Sequence, residues 1–133
     1  MTEPPPQLRI SLTAPESVPL GSKVPIVIRL ENAGETALEL YLRGRTIAYD
    51  ILIEDATGEV VWRRLEGEII PGIIQIKVLD SGEVLELSHD WDQRTNRGDL
   101  VEPGSYTVRG SVLTDSPEPM VSPTKPLLVV SER

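Results

Sequence analysis

Trp91-Asp92-Gln93-Arg94-Thr95-Asn96-Arg97-Gly98-Asp99-Leu100-Val101-Glu102-Pro103-Gly104-Ser105-Tyr106 is the stretch whose reading decides the fold. Trp91 completes the alternating set Leu85, Leu87, His89, Trp91, so one face of a strand ends on a large core aromatic. Asp92 is placed to accept turn N–H groups with its carboxylate. Gly98 supplies a positive φ where the chain reverses. Val101 is expected to dip inward, and Pro103-Gly104 suits a type II turn with glycine at the left-handed position. Tyr106 then opens the next strand facing the core, its hydroxyl directed at a partner on the rim. The segment reads as a hairpin in which each residue has a folding role.

The same period of two extends in both directions. Leu8, Ile10 and Leu12 alternate with polar residues, as do Val24, Ile26, Ile28 and Leu30. Leu38, Leu40 and Leu42 follow the Asn32–Glu35 turn. Tyr49, Ile51 and Ile53 lead through Asp55-Ala56-Thr57-Gly58 into Val60-Val61-Trp62, which reads as a hairpin. Ile74, Ile76 and Val78 form a further strand, turned at Asp80-Ser81-Gly82. Tyr106, Val108 and Val112 make another, and Leu127 to Val130 closes the chain. No segment carries a sustained helical stripe, and the 12 prolines belong in turns and edges. The expectation is an all-β, immunoglobulin-like antiparallel β-sandwich of about eight or nine short strands. Residues 1–7 read as a flexible Pro-rich tail and 8–133 as one domain.

Composition narrows the function classes. The 133 residues carry a net charge of −8, which disfavours nucleic acid and anionic membrane as partners. With Cys 0 there is no disulfide, thiolate nucleophile or cysteine-based zinc site. The N-terminus has no basic start and apolar run, and no segment nears the roughly 20 apolar residues of a membrane span. A cytoplasmic location is expected.

No catalytic constellation emerges, and no catalytic, cofactor-binding or metal residue is assigned. Asp90, Asp92, Asn96 and Asp99 lack the alternate spacing and closing Glu of a calcium loop. Arg97-Gly98-Asp99 matches an adhesion tripeptide, although Gly98 already has a turn role. His89 is the single histidine and reads as a half-buried side chain. Arg43-Gly44-Arg45 and Arg63-Arg64 read as a solvated rim, or as a loop offered to a partner.

Three pieces together resemble a known family: Tyr49-Asp50-Ile51 with Asp55…Gly58-Glu59-Val60-Val61-Trp62; Gly82-Glu83…Trp91-Asp92; and Gly98…Val101-Glu102-Pro103-Gly104-Ser105-Tyr106. They are similar, over about residues 20 to 114, to the bacterial intracellular proteinase inhibitor family, the BsuPI type. The last piece also resembles other bacterial immunoglobulin-like modules, including flagellar hook-capping proteins. The family pattern has an aromatic after the Trp62 strand, where this chain has Ile69, Ile70, Ile73 and Ile74. The resemblance implies an immunoglobulin-like sandwich that inhibits a cytoplasmic serine proteinase.

The reading is therefore a non-enzymatic protein-interaction module whose partner is a protein, under the resemblance a serine proteinase, and which is itself a monomer or weak homodimer. Candidate partner-binding positions are Arg43, Gly44 and Arg45; Glu68, Ile69, Ile70 and Pro71; and Pro117, Pro119 and Met120. Trp62, Trp91, Asp92, Gly98, Pro103, Gly104 and Tyr106 are assigned to structure. An assembly module acting through edge-strand pairing is the alternative. A sugar-binding surface is the third reading, disfavoured by an aromatic content of 4% with both Trp inward.

Overall fold

The computed structural model describes residues 7–131. The expected tail lies outside these apart from Gln7. Eleven strands appear among the described residues: β1 Leu8–Thr13, β2 Ser17–Pro19, β3 Val24–Asn32, β4 Leu38–Arg43, β5 Tyr49–Asp55, β6 Val60–Arg63, β7 Ile74–Leu79, β8 Val84–Trp91, β9 Gly104–Val112, β10 Met120–Val121 and β11 Lys125–Val130. The count exceeds the expected eight or nine because β2 and β10, of 3 and 2 residues, are too short to show a period.

The strands form an all-β sandwich. One sheet has the order β1-β3-β8, and the other runs β2-β11-β9-β5-β6 with β10 beside β9. A third, two-stranded piece pairs β4 with β7. All pairings are antiparallel except β2 with β11, a parallel contact of three residues. The inward residues of β3 (Val24, Ile26, Ile28, Leu30) face those of β5 and β9 (Ile51, Ile53, Val108, Val112), and all are buried. β-Branched and Leu side chains fill this interior because they pack well on a pleated surface.

Two contacts set the gap between the sheets. Gly110 of β9 lies where a Cβ would come within 2.6 Å of Ile28 Cδ1 on β3. Trp91 at the end of β8 meets Tyr106 of β9 edge-on, with ring centroids 6.4 Å apart. These contacts also correct the reading of the Trp91–Tyr106 segment. β8 pairs with β3, whereas β9 pairs with β5, β10 and β11, so the segment crosses from one sheet to the other. Its reversal is the smaller turn closed by the Arg94–Leu100 bridge, with Gly98 at φ 93°. Pro103-Gly104 is not a type II turn either. Gly104 already belongs to β9 at φ 152°, far from the roughly +80° such a turn needs.

The chain is held at this crossing by Gln93, which is fully buried at φ 64°. Its Nε2 donates to the carbonyls of Pro19 and Ser22 at 2.9 and 2.8 Å, and its Oε1 accepts from Gly21 N at 3.0 Å. Three hydrogen bonds to the β2–β3 turn hold a non-glycine residue in the left-handed region, which is otherwise unfavourable. Gly110→Ala should lower stability by about 1–3 kcal/mol through overpacking against Ile28. Urea denaturation of the single variants and of Gly110→Ala/Ile28→Ala checks this: the double variant should lose less than the sum of the two.

Candidate functional site

Asp50 is the second residue of β5, between the inward-facing Tyr49 and Ile51. Its side chain points away from the core yet is only 8% exposed, because the chain leaving β6 folds over it. Oδ2 accepts from Arg63 Nη2 at 2.8 Å and Nε at 3.2 Å, and Oδ1 accepts from Leu65 N at 3.0 Å and Ile51 N at 2.9 Å. A carboxylate with a guanidinium on one oxygen and two backbone donors on the other is a strong, directional anchor. Arg64 locks the same corner from the other side. Its Nη1 donates to Tyr49 O at 2.6 Å, and its guanidinium sits 3.7 Å from the Tyr49 ring centroid. Arg64 is thus bound into the fold, while Arg63 is tied to Asp50 with its side chain still half exposed at the rim.

From this anchor the chain emerges as a loop, residues 65–73. Glu66 N donates to Arg63 O and Glu68 N to Leu65 O, with Gly67 at φ 76° making the reversal. Ile69 follows at the tip, 92% exposed. Pro71 fixes the backbone beyond it. The far end is fastened where Gly44 N donates to Ile73 O at 2.8 Å and Gln75 Nε2 donates to the carbonyls of Gly44 and Arg45. Gly44 has φ 101°, and a Cβ there would lie 2.4 Å from Thr46 O, so only glycine fits.

The structure therefore brings two of the three candidate segments together. Gly44 and Arg45 face Glu68, Ile70 and Pro71 across an open cleft of about 430 Å³ floored by Arg64 and His89. Ser116 to Met120 lies elsewhere. Pro119 borders a separate hollow of about 330 Å³ beside Arg109, and Met120 is buried in the core, so its side chain is not available to a partner.

His89 and the aromatic residues support the cleft floor. Trp62 is half-buried rather than fully inward, stacked on His89 at 5.4 Å and tilted against Trp91 at 5.9 Å. Burial, then the Arg64 charge, holds the imidazole below its ordinary pKa, which favours the neutral ring. No cluster of three or more His, Cys, Asp or Glu able to hold a metal occurs among the described residues. Trp91 Nε1 donates to Arg94 O, Asp92 Oδ1 accepts from Arg94 N, and the Tyr106 hydroxyl donates to Glu102 O at 2.5 Å. Burial raises the pKa of Tyr106 and keeps that hydroxyl protonated as a donor. Asn96 is a contact that sequence reasoning missed: its amide accepts from Arg63 N and donates to Arg63 O, covering the end of β6 as a neighbouring strand would.

Comparison with known proteins follows from this geometry. The profile of the BsuPI family, described as intracellular proteinase inhibitor, matches residues 12–117, which contain the cleft and the loop. Comparison with curated proteins gives no match. Among solved structures, an alkylpurine DNA glycosylase of Pseudomonas fluorescens bound to DNA containing an abasic site analog has TM-score 0.50 and 15% identity over 93% of this chain and 30% of that one. A β-glucosidase of Erythrobacter marinus has TM-score 0.50 and 18% identity over 92% of this chain and 15% of that one. The CARDB domain of a Pyrococcus furiosus protein, in complex with di-metal ions, has TM-score 0.48 and 14% identity over 94% of both chains. At such identities the two likenesses at 0.50 bear on the fold alone.

Asp50→Ala should cost about 1–2 kcal/mol, since it removes charge-assisted hydrogen bonds but leaves Arg63 half in water. It should also release the loop, read as faster cleavage within 65–73 by a low dose of a broad-specificity protease, with the rest of the chain still resistant.

Proposed function

We propose, from the premise that the chain belongs to the BsuPI family of intracellular proteinase inhibitors, that it is a non-enzymatic protein-binding module which inhibits a cytoplasmic serine proteinase by seating the 65–73 loop in the proteinase cleft. The observation that carries this reading is Ile69: a large aliphatic side chain 92% exposed, at the tip of a loop hydrogen-bonded at both ends to the sandwich. An apolar residue gains little from such exposure within its own fold. It gains when a partner's pocket removes it from water.

The loop also meets the energetic requirement of a tight inhibitor. Ordering a flexible segment on binding costs affinity, and a segment already fixed avoids most of that cost. With no disulfide, the fixing falls to Asp50, the Gly44–Ile73 contact and Pro71. Glu68-Ile69-Ile70 would enter the cleft as a short extended strand, with Ile69 in the main specificity pocket. Arg45 and the cleft wall would lie beside it as a second contact. The target is then a proteinase whose specificity pocket is apolar rather than acidic.

Titration of serine proteinases of differing pocket chemistry tests this reading. Wild type should inhibit one with an apolar pocket, and Ile69→Asp should weaken inhibition about 30-fold or more, the effect of one interface hot spot of ~2 kcal/mol. The melting temperature should stay unchanged. Full inhibition by Ile69→Asp, or simple cleavage of the wild-type loop without inhibition, would overturn it.

A further inference from the structure

β7 exposes a row of three aliphatic residues, more than any other edge strand among the described residues. Among the described residues it pairs only with β4, and their register is Leu38↔Leu79 through Arg43↔Ile74. Gly44 N donates to Ile73 O, so by the alternation of an antiparallel ladder Gln75, Lys77 and Leu79 spend their N–H and C=O groups on β4. The other side of β4 agrees with this. Arg43 N donates to Leu113 O and Tyr41 O accepts from Asp115 N, so the intervening residues of β4 face β7. Ile74, Ile76 and Val78 therefore turn their backbone donors and acceptors to an open edge.

The side chains of the same three residues stand on the outer face. Ile76 is 58% exposed, and Ile74, Val78 and the cross-strand Tyr41 are exposed beside it. On β1 and β8 the exposed positions are polar (Arg9, Ser11 and Thr13; Glu86, Ser88 and Asp90), and β6 and β10 expose one aliphatic each, Val60 and Val121, rather than a row. The end of β6 is covered by Asn96. An open, aliphatic edge is what folds normally avoid, because it templates another strand.

We propose that β7 pairs with β7 of a second copy, in antiparallel register about a two-fold axis at Ile76. The sequence Ile74-Gln75-Ile76-Lys77-Val78 is self-complementary in that register. Ile76 meets its own counterpart as a hydrogen-bonded pair, Ile74 meets Val78, and the open backbone groups of all three are satisfied. The single charge, Lys77, falls opposite Gln75 of the other copy and not opposite itself. Across the joined face, Glu39 beside Val78 and Arg43 beside Ile74 bring opposite charges toward each other. The area joined is narrow, so the dimer is weak and concentration-dependent. This pairing is independent of the inhibitory loop.

Sedimentation of the full chain across concentration tests the proposal, together with cross-linking that exploits the absence of cysteine. Wild type should associate reversibly. Ile76→Lys should raise the dissociation constant about tenfold or more by placing like charges on the axis. Val60→Lys, at an exposed aliphatic on β6, should leave it unchanged. On mild oxidation Ile76→Cys should form a disulfide-linked dimer, since a hydrogen-bonded pair about 5.5 Å apart at Cα is within disulfide reach. Val60→Cys should not. A strictly monomeric wild type, a dimer that Ile76→Lys leaves intact, or equal weakening by Val60→Lys would overturn it. Ile76→Lys should keep any proteinase inhibition, so the two proposals can fail separately.

Discussion

The path of the chain leaving β6 depends on the carboxylate of Asp50. A strand in the middle of a sheet normally presents its outward residues to water, and an Asp there would be unremarkable. Here Arg63 and the Leu65 backbone close over it, so one carboxylate accepts from both a guanidinium and a main-chain N–H of the departing chain. Burying a carboxylate is tolerable only with such partners, so the chain must return past β5 before it can run outward. That return fixes the root of the 65–73 loop. The Arg64 guanidinium over Tyr49, whose hydroxyl donates to Ser88 O on the opposite sheet, ties the same corner across the sandwich.

The sandwich in turn holds β5 still. Gly110 allows β9 to approach Ile28 closely, and the row Trp62, His89, Trp91, Tyr106 links β6, β8 and β9 across both sheets. One member of this row, His89, lines the cleft between Arg45 and Pro71. With no Phe and few aromatics in all, the chain gathers both tryptophans in this one row. Packing of large rings is where a cysteine-free domain gains rigidity without a covalent tie. The site is therefore an extension of the core rather than an attachment to it.

The alternation of Val24 to Leu30, the Asp55–Gly58 turn and the inward Trp91, Val101 and Tyr106 were legible from the sequence, because period and turn chemistry act locally. The other features depend on partners distant in the chain. Nothing around Gln93 indicates that a glutamine takes a left-handed backbone, since its three partners lie about seventy residues earlier. Asp50 stands in an ordinary strand, and its importance comes from Arg63 and Leu65. Ile74, Ile76 and Val78 show the right period, but a period does not say which face is inward, and here it is the aliphatic face that meets water. The candidate loops at Arg43 and Glu68 were legible as exceptions to the alternation; that they share one cleft is set by the β4–β7 register. Met120 reads as part of a surface loop in the sequence but is buried in β10, because a two-residue strand leaves no pattern.

Amide hydrogen exchange, on the free chain and on the chain mixed with a serine proteinase of apolar specificity pocket, tests the central proposal that a loop rooted on Asp50 is the binding element. The Leu65 amide should exchange slowly in the free protein, as a group bonded to a buried carboxylate does. On complex formation new protection should concentrate at residues 68–70 and at Arg45 across the cleft. Fast exchange at Leu65 in the free chain, or protection gained at Ser116–Pro119 with none at Ile69, would contradict it.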